Sequence, residues 1–475
     1  MSKEWLPVPL GAKLFQNVHE TALTKATAAL ENGFQNEAEG ITRFPGLSTF
    51  VTPSGGGKMY IDSWRGDMVA ASSNGDFYRI DKNGNVDNIT GVKIDGGQRV
   101  VFSETPSEKV MAAGGLPVMF AGEKTEILSE DAPETTHIAF IDNYLVASEK
   151  KSGRFYHSDP SQYRTWPVLN VFTTDSQPDD INSIIVTPFR ELMLCGPRSV
   201  EQFERLASGD TPFFRRWAVG EGVVAPYTVC FADNAVWAIN RLFEFMRFSG
   251  QVSQPNSGDI GRALEAAMAD TSDETELWSD AWAVPVHILG QKFILLQIPR
   301  ADNVYGTKGI TLLFDYRQNK WASLYGWDNG LNVPTRWPGW SYHEVWGRRF
   351  VGGDGVIYEL TNDTFDHAGG VQRFYGRTAH FSEMGEIRID NLRVRLRRGT
   401  GDNTTSGTFN IRATRDNKRK TRWVRRSFGK AGDTEMYLEF GGMGCGHSFQ
   451  FEWFVTDDTP VEMVKIDVQV TRLGE

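Results

Sequence analysis

Cysteine is scarce in this 475-residue chain: Cys195, Cys230 and Cys445 stand far apart and odd in number, which excludes a disulfide framework and a cysteine-based zinc site. All three are expected as buried small residues in a reducing compartment. No apolar run approaches the ~18 residues of a membrane span, and Met1-Ser2-Lys3-Glu4-Trp5-Leu6-Pro7 carries no signal-like apolar core. A chain kept in a cytoplasm, with no membrane-spanning segment, is therefore expected. The eight histidines, among them His137, His157, His343 and His380, show no metal-ligand spacing, so neither metal nor cofactor is expected. Ser54-Gly55-Gly56-Gly57-Lys58 is superficially like a phosphate loop. Thr52 stands where the earlier glycine is required, however, and Met59 where a magnesium-binding hydroxyl would be, so the stretch reads as a turn before a strand.

What the chain does contain is turn formers and aromatics: 48 Gly, 30 Phe and 14 Trp, with 40% hydrophobic and 23% charged residues. That mixture favours an all-β protein, and the length calls for two or more domains or one repeat-built domain with an appendage. The net charge of -10 is uneven, because residues 366 to 475 hold 18 Lys+Arg against 15 Asp+Glu, leaving an acidic remainder. Within 388 to 430, 14 basic residues face only Asp390, Asp402 and Asp416.

A unit recurs seven times: a short apolar strand, a turn with Asp, Asn or Gly, a strongly apolar strand with small residues, another turn, and a strand with an aromatic. The units lie at 66–78, 107–120, 142–156, 190–203, 233–245, 290–316 and 346–358, with successive middle strands 35 to 59 residues apart. This spacing predicts a β-propeller of six or seven blades, with a pair of stacked sandwiches as the competing all-β architecture. Ile260, Leu264, Ala267 and Met268 follow helical spacing, and a second helix is predicted over 22–30. From about 371 the pattern becomes strict alternation, as in Leu392, Val394 and Leu396 against Arg393, Arg395 and Arg397, which predicts a C-terminal antiparallel β-sandwich. The expected organisation is an N-terminal arm (1–50), a propeller (51–365) and a sandwich (371–475). The last two are expected as separable folding units joined at Asp366-His367-Ala368-Gly369-Gly370.

Several stretches carry a family resemblance: Phe140-Ile141-Asp142-Asn143-Tyr144-Leu145-Val146-Ala147-Ser148, Tyr156-His157-Ser158-Asp159 with Trp166, Asp175-Ser176-Gln177-Pro178-Asp179-Asp180-Ile181, and Arg190-Glu191-Leu192 with Val200-Glu201-Gln202-Phe203. Together with Glu39-Gly40-Ile41-Thr42-Arg43-Phe44-Pro45-Gly46-Leu47, they resemble the packaged-DNA stabilisation protein, or tail hub (nozzle), of short-tailed bacteriophages. Asp175 stands where that family often has Glu. The resemblance implies a structural protein of the virion tail and not an enzyme: a homo-oligomeric, six-membered ring beneath the head-to-tail adaptor and near tail needle, fibre or tailspike proteins. Such a ring retains packaged DNA and touches the genomic DNA transiently at ejection. An acidic wall would suit that role, since like charge within a Debye length of ~8 Å keeps a duplex off the surface.

A different class of function is a propeller carbohydrate-active enzyme or host-glycan binding protein, with Asp175, Asp179 and Asp180 as acid and base and Trp166, Trp337 or Trp340 as sugar platforms. It requires those side chains to converge in one cleft. The bland reading of Pro178-Asp179-Asp180 is a turn between blades. The basic residues Arg393, Arg395, Arg397, Arg415, Lys418, Arg419, Lys420, Arg422, Arg425 and Arg426 admit three readings: a solvated hairpin, a docking surface for an acidic partner, or a DNA contact. Docking is favoured, because permanent phosphate binding would obstruct a conduit.

Overall fold

The computed structural model of the chain describes residues 4–8, 10, 29–36, 40–206, 212–256, 260–261, 264, 277–378, 380–397, 407–416, 419–429 and 435–473. Among these, six four-stranded antiparallel units follow one another at 59–89, 101–127, 138–173, 183–219, 230–255 and 282–323. A seventh is built from three strands at 341–361 and closed by Gly46–Val51, which pairs with Ile357–Thr361. The fold is a seven-bladed propeller, and each of the seven units expected from the sequence falls on the second and third strands of one blade.

Alternation explains why the blades must stack. In the second strand of blade one, Val69 and Ala71 face blade two, while Met68 and Ala70 face blade seven beside Phe350 and Ile357. Each middle strand thus divides its side chains between two interfaces and can bury neither face alone. Comparable clusters lie between blades two and three, three and four, four and five, and five and six. The left-handed backbone of Asp142-Asn143 and Asp233-Asn234, residues that adopt it at low cost, makes the tight hairpins that begin blades three and five.

Between blades six and seven the pattern changes. Their facing residues, among them Phe293, Leu295, Val351 and Leu360, join Leu30, Phe34 and Phe44 of the N-terminal segment and continue into the C-terminal β-structure as one core. That β-structure has two layers. Glu462–Leu473 pairs with Phe381–Arg397, which pairs in turn with the first half of Glu435–Val455, and the second half of that long strand crosses over to pair with Thr408–Arg415 and Phe374–Arg377. The strand bends at Gly441, Gly442 and Gly444. Gly444 has φ 88°, and a Cβ there would lie 2.5 Å from the Arg415 guanidinium, so glycine is required twice over. Leu392, Val394 and Leu396 from one layer and Phe409, Ile411 and Phe451 from the other fill the sandwich core.

The 1–50 segment, read from the sequence as an arm, supplies strands to both bodies. Glu4–Val8 and Ile41–Arg43 pair with Glu462–Leu473, Ala29–Glu31 pairs with Phe374–Arg377 and bridges to Ser323 of blade six, and Gly46–Val51 closes the ring. The boundary expected at 51 therefore falls at the end of a blade strand. The helix predicted over 22–30 ends instead in that strand at Ala29–Glu31, where edge pairing outweighs helical spacing; residues 22–28 lie outside the described residues. Ile260 and Leu264 are buried against Trp278 and Ala281, while Ala267 and Met268 lie outside the described residues. Cys195 and Cys230 are buried, and burial pushes both thiols up to about 12, whereas Cys445 is only half-buried on the bend between layers.

The junction is pinned by Arg43, whose side chain is fully buried. Its Nε donates to Gln372 Oε1 (3.1 Å), and Nη2 donates to Phe365 O and Gln372 O (2.7 Å each). Nη1 donates to Asp457 O and to Thr459 O (3.0 Å). Burial pulls the guanidinium down to about 9, and Asp458, Asp457 and Asp366 oppose the fall, so it remains a cation at neutral pH. Glu31 adds a second tie, through Arg373 (2.6 Å) and the Tyr305 hydroxyl. The glycine pair of the junction is held too: Ala368 N donates to Leu47 O (2.6 Å) and His367 N to Gly370 O (2.9 Å). Propeller and sandwich thus share a core, a sheet and a buried cation.

Two outcomes follow. Arg43→Met strands four buried carbonyls and is expected to cost about 3–5 kcal/mol in urea unfolding, the range for breaking a buried charged network; a loss under about 1 kcal/mol would contradict the keystone role. Burial, with a further lowering contribution from Arg43, takes His367 from its usual 6.5 down to about 4, despite a hydrogen bond to Tyr325 O and the nearby Asp366 carboxylate. A depressed histidine leaves full stability above 6.5, and the unfolded chain then gains protons the native state refuses as pH falls from 6.5 to about 4. Stability should drop by up to about 1.4 kcal/mol per pH unit across that window, and His367→Gln should flatten the slope; a parallel slope in the variant would refute it.

Candidate functional site

The residues expected to dock a partner split between the two outer faces of the sandwich. Arg393, Arg395 and Arg397 alternate with buried Leu392, Val394 and Leu396, so they point away from the core of the first layer. Each is matched by a carboxylate from an adjacent strand: Arg393 with Glu439 (2.9 Å), Arg395 with Glu435 (2.6 Å) and Arg397 with Glu462 (3.3 Å). Trp5 lies under the Arg393 guanidinium at 4.3 Å. They do not extend the basic stretch of 412–426, because facing layers turn their outer surfaces in opposite directions.

In the second layer, among the described residues, Val424–Ser427 and Arg419–Lys420 pair only with Thr408–Arg415 and so form an edge of the sheet. Arg412 and Lys420 share the buried Glu452 carboxylate, and Arg415 donates to Cys445 O at 3.2 Å. Arg425 donates to Asn410 Oδ1 (3.3 Å) and Arg426 to Glu439 O (3.3 Å). Among the described residues, Arg419, Arg422, Arg425 and Arg426 have no carboxylate in ion-pair range, and Trp423 is 38% exposed beside them. Lys418 lies outside the described residues. Among the described candidates, the charge without a carboxylate partner lies on this edge and on the neighbouring Arg415.

The acidic and aromatic candidates do not converge. In the connection from blade three to blade four, Asp175 accepts from Thr173 Oγ1 (2.8 Å), and Asp179 accepts from Arg198 N (2.8 Å) and Ser199 Oγ (3.3 Å) of the turn between the second and third strands of blade four. Trp166 packs between blades two and three and donates to Tyr163 O, whereas Trp337 belongs to the core near blade seven. Trp340 lies between the cations of Lys58 (4.1 Å) and Arg336 (3.9 Å), and its indole donates to Asp354 at 2.6 Å. The stretches that carry the family resemblance instead meet each other. Ser176 donates through N (2.9 Å) and Oγ (2.6 Å) to the fully buried Glu201 carboxylate, which also takes Arg215 at 3.3 Å. Gly196 lets Asp179 approach, since a Cβ there would lie 2.6 Å from its carboxylate.

Sequence reasoning missed the propeller axis. The first strands of the seven blades, or the residues just before them, surround a cavity of about 220 Å³ lined by Tyr60, Arg99, His137, Tyr227, Trp282 and Tyr342, with apolar residues between them. Arg99 packs on the rings of Tyr60 (5.1 Å) and Trp282 (4.9 Å) and donates through Nη1 to Trp340 O (2.6 Å). Burial lowers its pKa, opposed by Tyr60, Tyr227 and Asp280, and no carboxylate of the described residues pairs with it. His137 stacks on Tyr227 at 5.0 Å, and burial takes it down to about 3, so it is a neutral ring at physiological pH. These residues come from every part of the chain and share no spacing, so nothing local marks them. Among the described residues, no group of three or more His, Cys, Asp and Glu could hold a metal, and no helix is long and apolar enough to cross a membrane.

No family model and no curated protein matches the chain. Solved structures similar to it include a streptogramin B lyase (8% identity, 66% of this chain and 97% of that one, TM-score 0.44). Another is the extracellular domain of a putative one-component system from B. thetaiotaomicron (10% identity, 87% and 57%, TM-score 0.42). A third is the corresponding domain of a putative hybrid two-component system from the same organism (10%, 88% and 62%, TM-score 0.41). All three TM-scores lie below 0.5, and the architecture described above rests on the strand pairing of the chain itself.

Proposed function

We propose that the chain is a non-catalytic structural subunit of a short-tailed phage tail, a nozzle or hub protein that forms a ring below the adaptor and conducts DNA. The observation that carries the reading is the contact that the resembling stretches make: Ser176 on Glu201, and Asp179 on the adjoining Arg198 and Ser199, staple the connection after blade three to blade four. Residues retained for the shape of a wall would be placed in this way, whereas acid–base or sugar-binding groups would converge on a substrate. The joining of propeller and sandwich through Arg43 suits a subunit that must transmit load. Exposed Val168 and Leu169 of blade three and Phe189 of blade four lie in turns on the same face of adjacent blades, where a neighbouring subunit would cover them. The charged edge at 419–427 is the surface this reading assigns to an acidic partner in the tail.

Electron microscopy of the purified protein, alone and with the adaptor ring, is the direct test. Closed rings with an axial opening wide enough for a duplex are expected; a protein that stays monomeric with the adaptor present, or that turns over a polysaccharide, would remove the proposal. The edge makes a separate forecast. Replacing Arg419, Arg422 and Arg425 by Ser should change stability by no more than about 0.5 kcal/mol each, because these side chains are solvated. The same change should slow association with the adaptor and flatten its salt dependence. Unaltered association, together with wild-type protein that binds duplex steeply with falling salt, would reassign the edge to DNA.

A further inference from the structure

We infer that the axial cavity of the propeller is a binding site for a small organic monocarboxylate, with its charge on Arg99 and the Tyr60 hydroxyl and its apolar body against Ile61, Ile184 and Val229. The inference is independent of the role proposed above.

Three observations carry it. First, a guanidinium has five N–H donors, and among the described residues only Trp340 O accepts from Arg99. The remaining donors belong to a group that lines a cavity and has no anion of its own. Arg99 is half-buried, and neighbouring cations have carboxylates where it has none: Lys58 and Arg300 share Asp280 at 3.1 and 3.2 Å, and Arg336 takes Asp354 at 3.2 Å. Second, Tyr60 is 4% exposed and lines the same cavity with its ring under the guanidinium, and its hydroxyl has no hydrogen-bond partner among the described residues. Third, the guanidinium lies over the rings of Tyr60 (5.1 Å) and Trp282 (4.9 Å), contacts that limit its freedom and leave its planar donor fork for a carboxylate.

Size and charge narrow the class. A cavity of about 220 Å³ has room for roughly seven waters at ~30 Å³ each, which fits a ligand of a single ring and not a nucleotide. Among the described lining residues Arg99 is the one free cation, which matches one negative charge, and an inorganic phosphate dianion would leave a second charge unmatched. The apolar lining of Ile61, Ile184, Val229 and Ala283 calls for a hydrocarbon body on the carboxylate.

The test is calorimetric titration of the full chain with benzoate, with its neutral isostere benzamide and with inorganic phosphate. Benzoate should bind at a Kd below about 10 mM, and benzamide and phosphate should each bind about tenfold or more weakly. Arg99→Met should abolish the preference for benzoate over benzamide, and Arg99→Lys should retain part of it, since it keeps the charge and loses the fork. Should Arg99→Met fail to fold, the wild-type contrast between benzoate and benzamide decides alone. Equal binding of benzamide, phosphate binding as tight as benzoate, an unchanged preference in folded Arg99→Met, or no benzoate binding up to about 10 mM would each overturn the inference.

Discussion

The fold depends on eleven residues of extended chain, 41–51, that serve two bodies at once. Ile41–Arg43 extends the sandwich and Gly46–Val51 completes the ring, so neither is finished before the other. Arg43 stands between them with all its side-chain N–H groups committed to oxygens of the 365–372 junction and the 457–459 turn. A buried guanidinium is costly to desolvate, and only complete satisfaction by aligned acceptors offsets that cost. The arrangement penalises any partial structure: a propeller lacking the sandwich leaves Arg43 unpaired, and a sandwich lacking the junction leaves Phe365 and Gln372 without their donor.

Elsewhere the ring is held by repetition. Six blade interfaces are separate apolar clusters, each made from alternate residues of two neighbouring blades, and aromatic pairs such as Trp64 with Phe120 and Phe155 with Phe203 fill the wedge between diverging sheets. The seventh interface breaks the rule, because the N-terminal segment and the sandwich core enter it. A ring whose weakest seam is also its attachment point gains rigidity where an appendage would otherwise swing.

Charge is distributed by the same economy. On the first outer face of the sandwich, Arg393, Arg395 and Arg397 are each answered by glutamate, which turns an apparently basic strand into a near-neutral surface. The edge at 419–427 keeps its cations. Repulsion between like charges there guards the unpaired backbone against another chain's strand. At the axis, Arg99 is the reverse case: a half-buried cation lining the cavity with no carboxylate partner among the described residues.

Local rules determined much of this protein from the sequence alone. Seven turn-strand units were legible because each blade repeats the same compromise between Gly and Asn turns and small apolar middle strands, and the sandwich was legible because period-two alternation needs only its own strand. Pro178-Asp179-Asp180 was legible as a turn, but the partners of the Asp179 carboxylate, Arg198 and Ser199, lie in a distant turn of blade four that no local rule identifies. Tertiary structure alone decided the rest. The 1–50 segment is too short and irregular to reveal that it belongs to two sheets, because pairing partners more than 300 residues away are set by which edges remain open after the ring and sandwich form. Whether the arginines of 393–397 add to those of 412–426 depended on layer orientation, which alternation leaves open. The axial site depended on closure itself: residues from seven blades meet only when the ring is complete, so no window of sequence contains the cavity around Arg99.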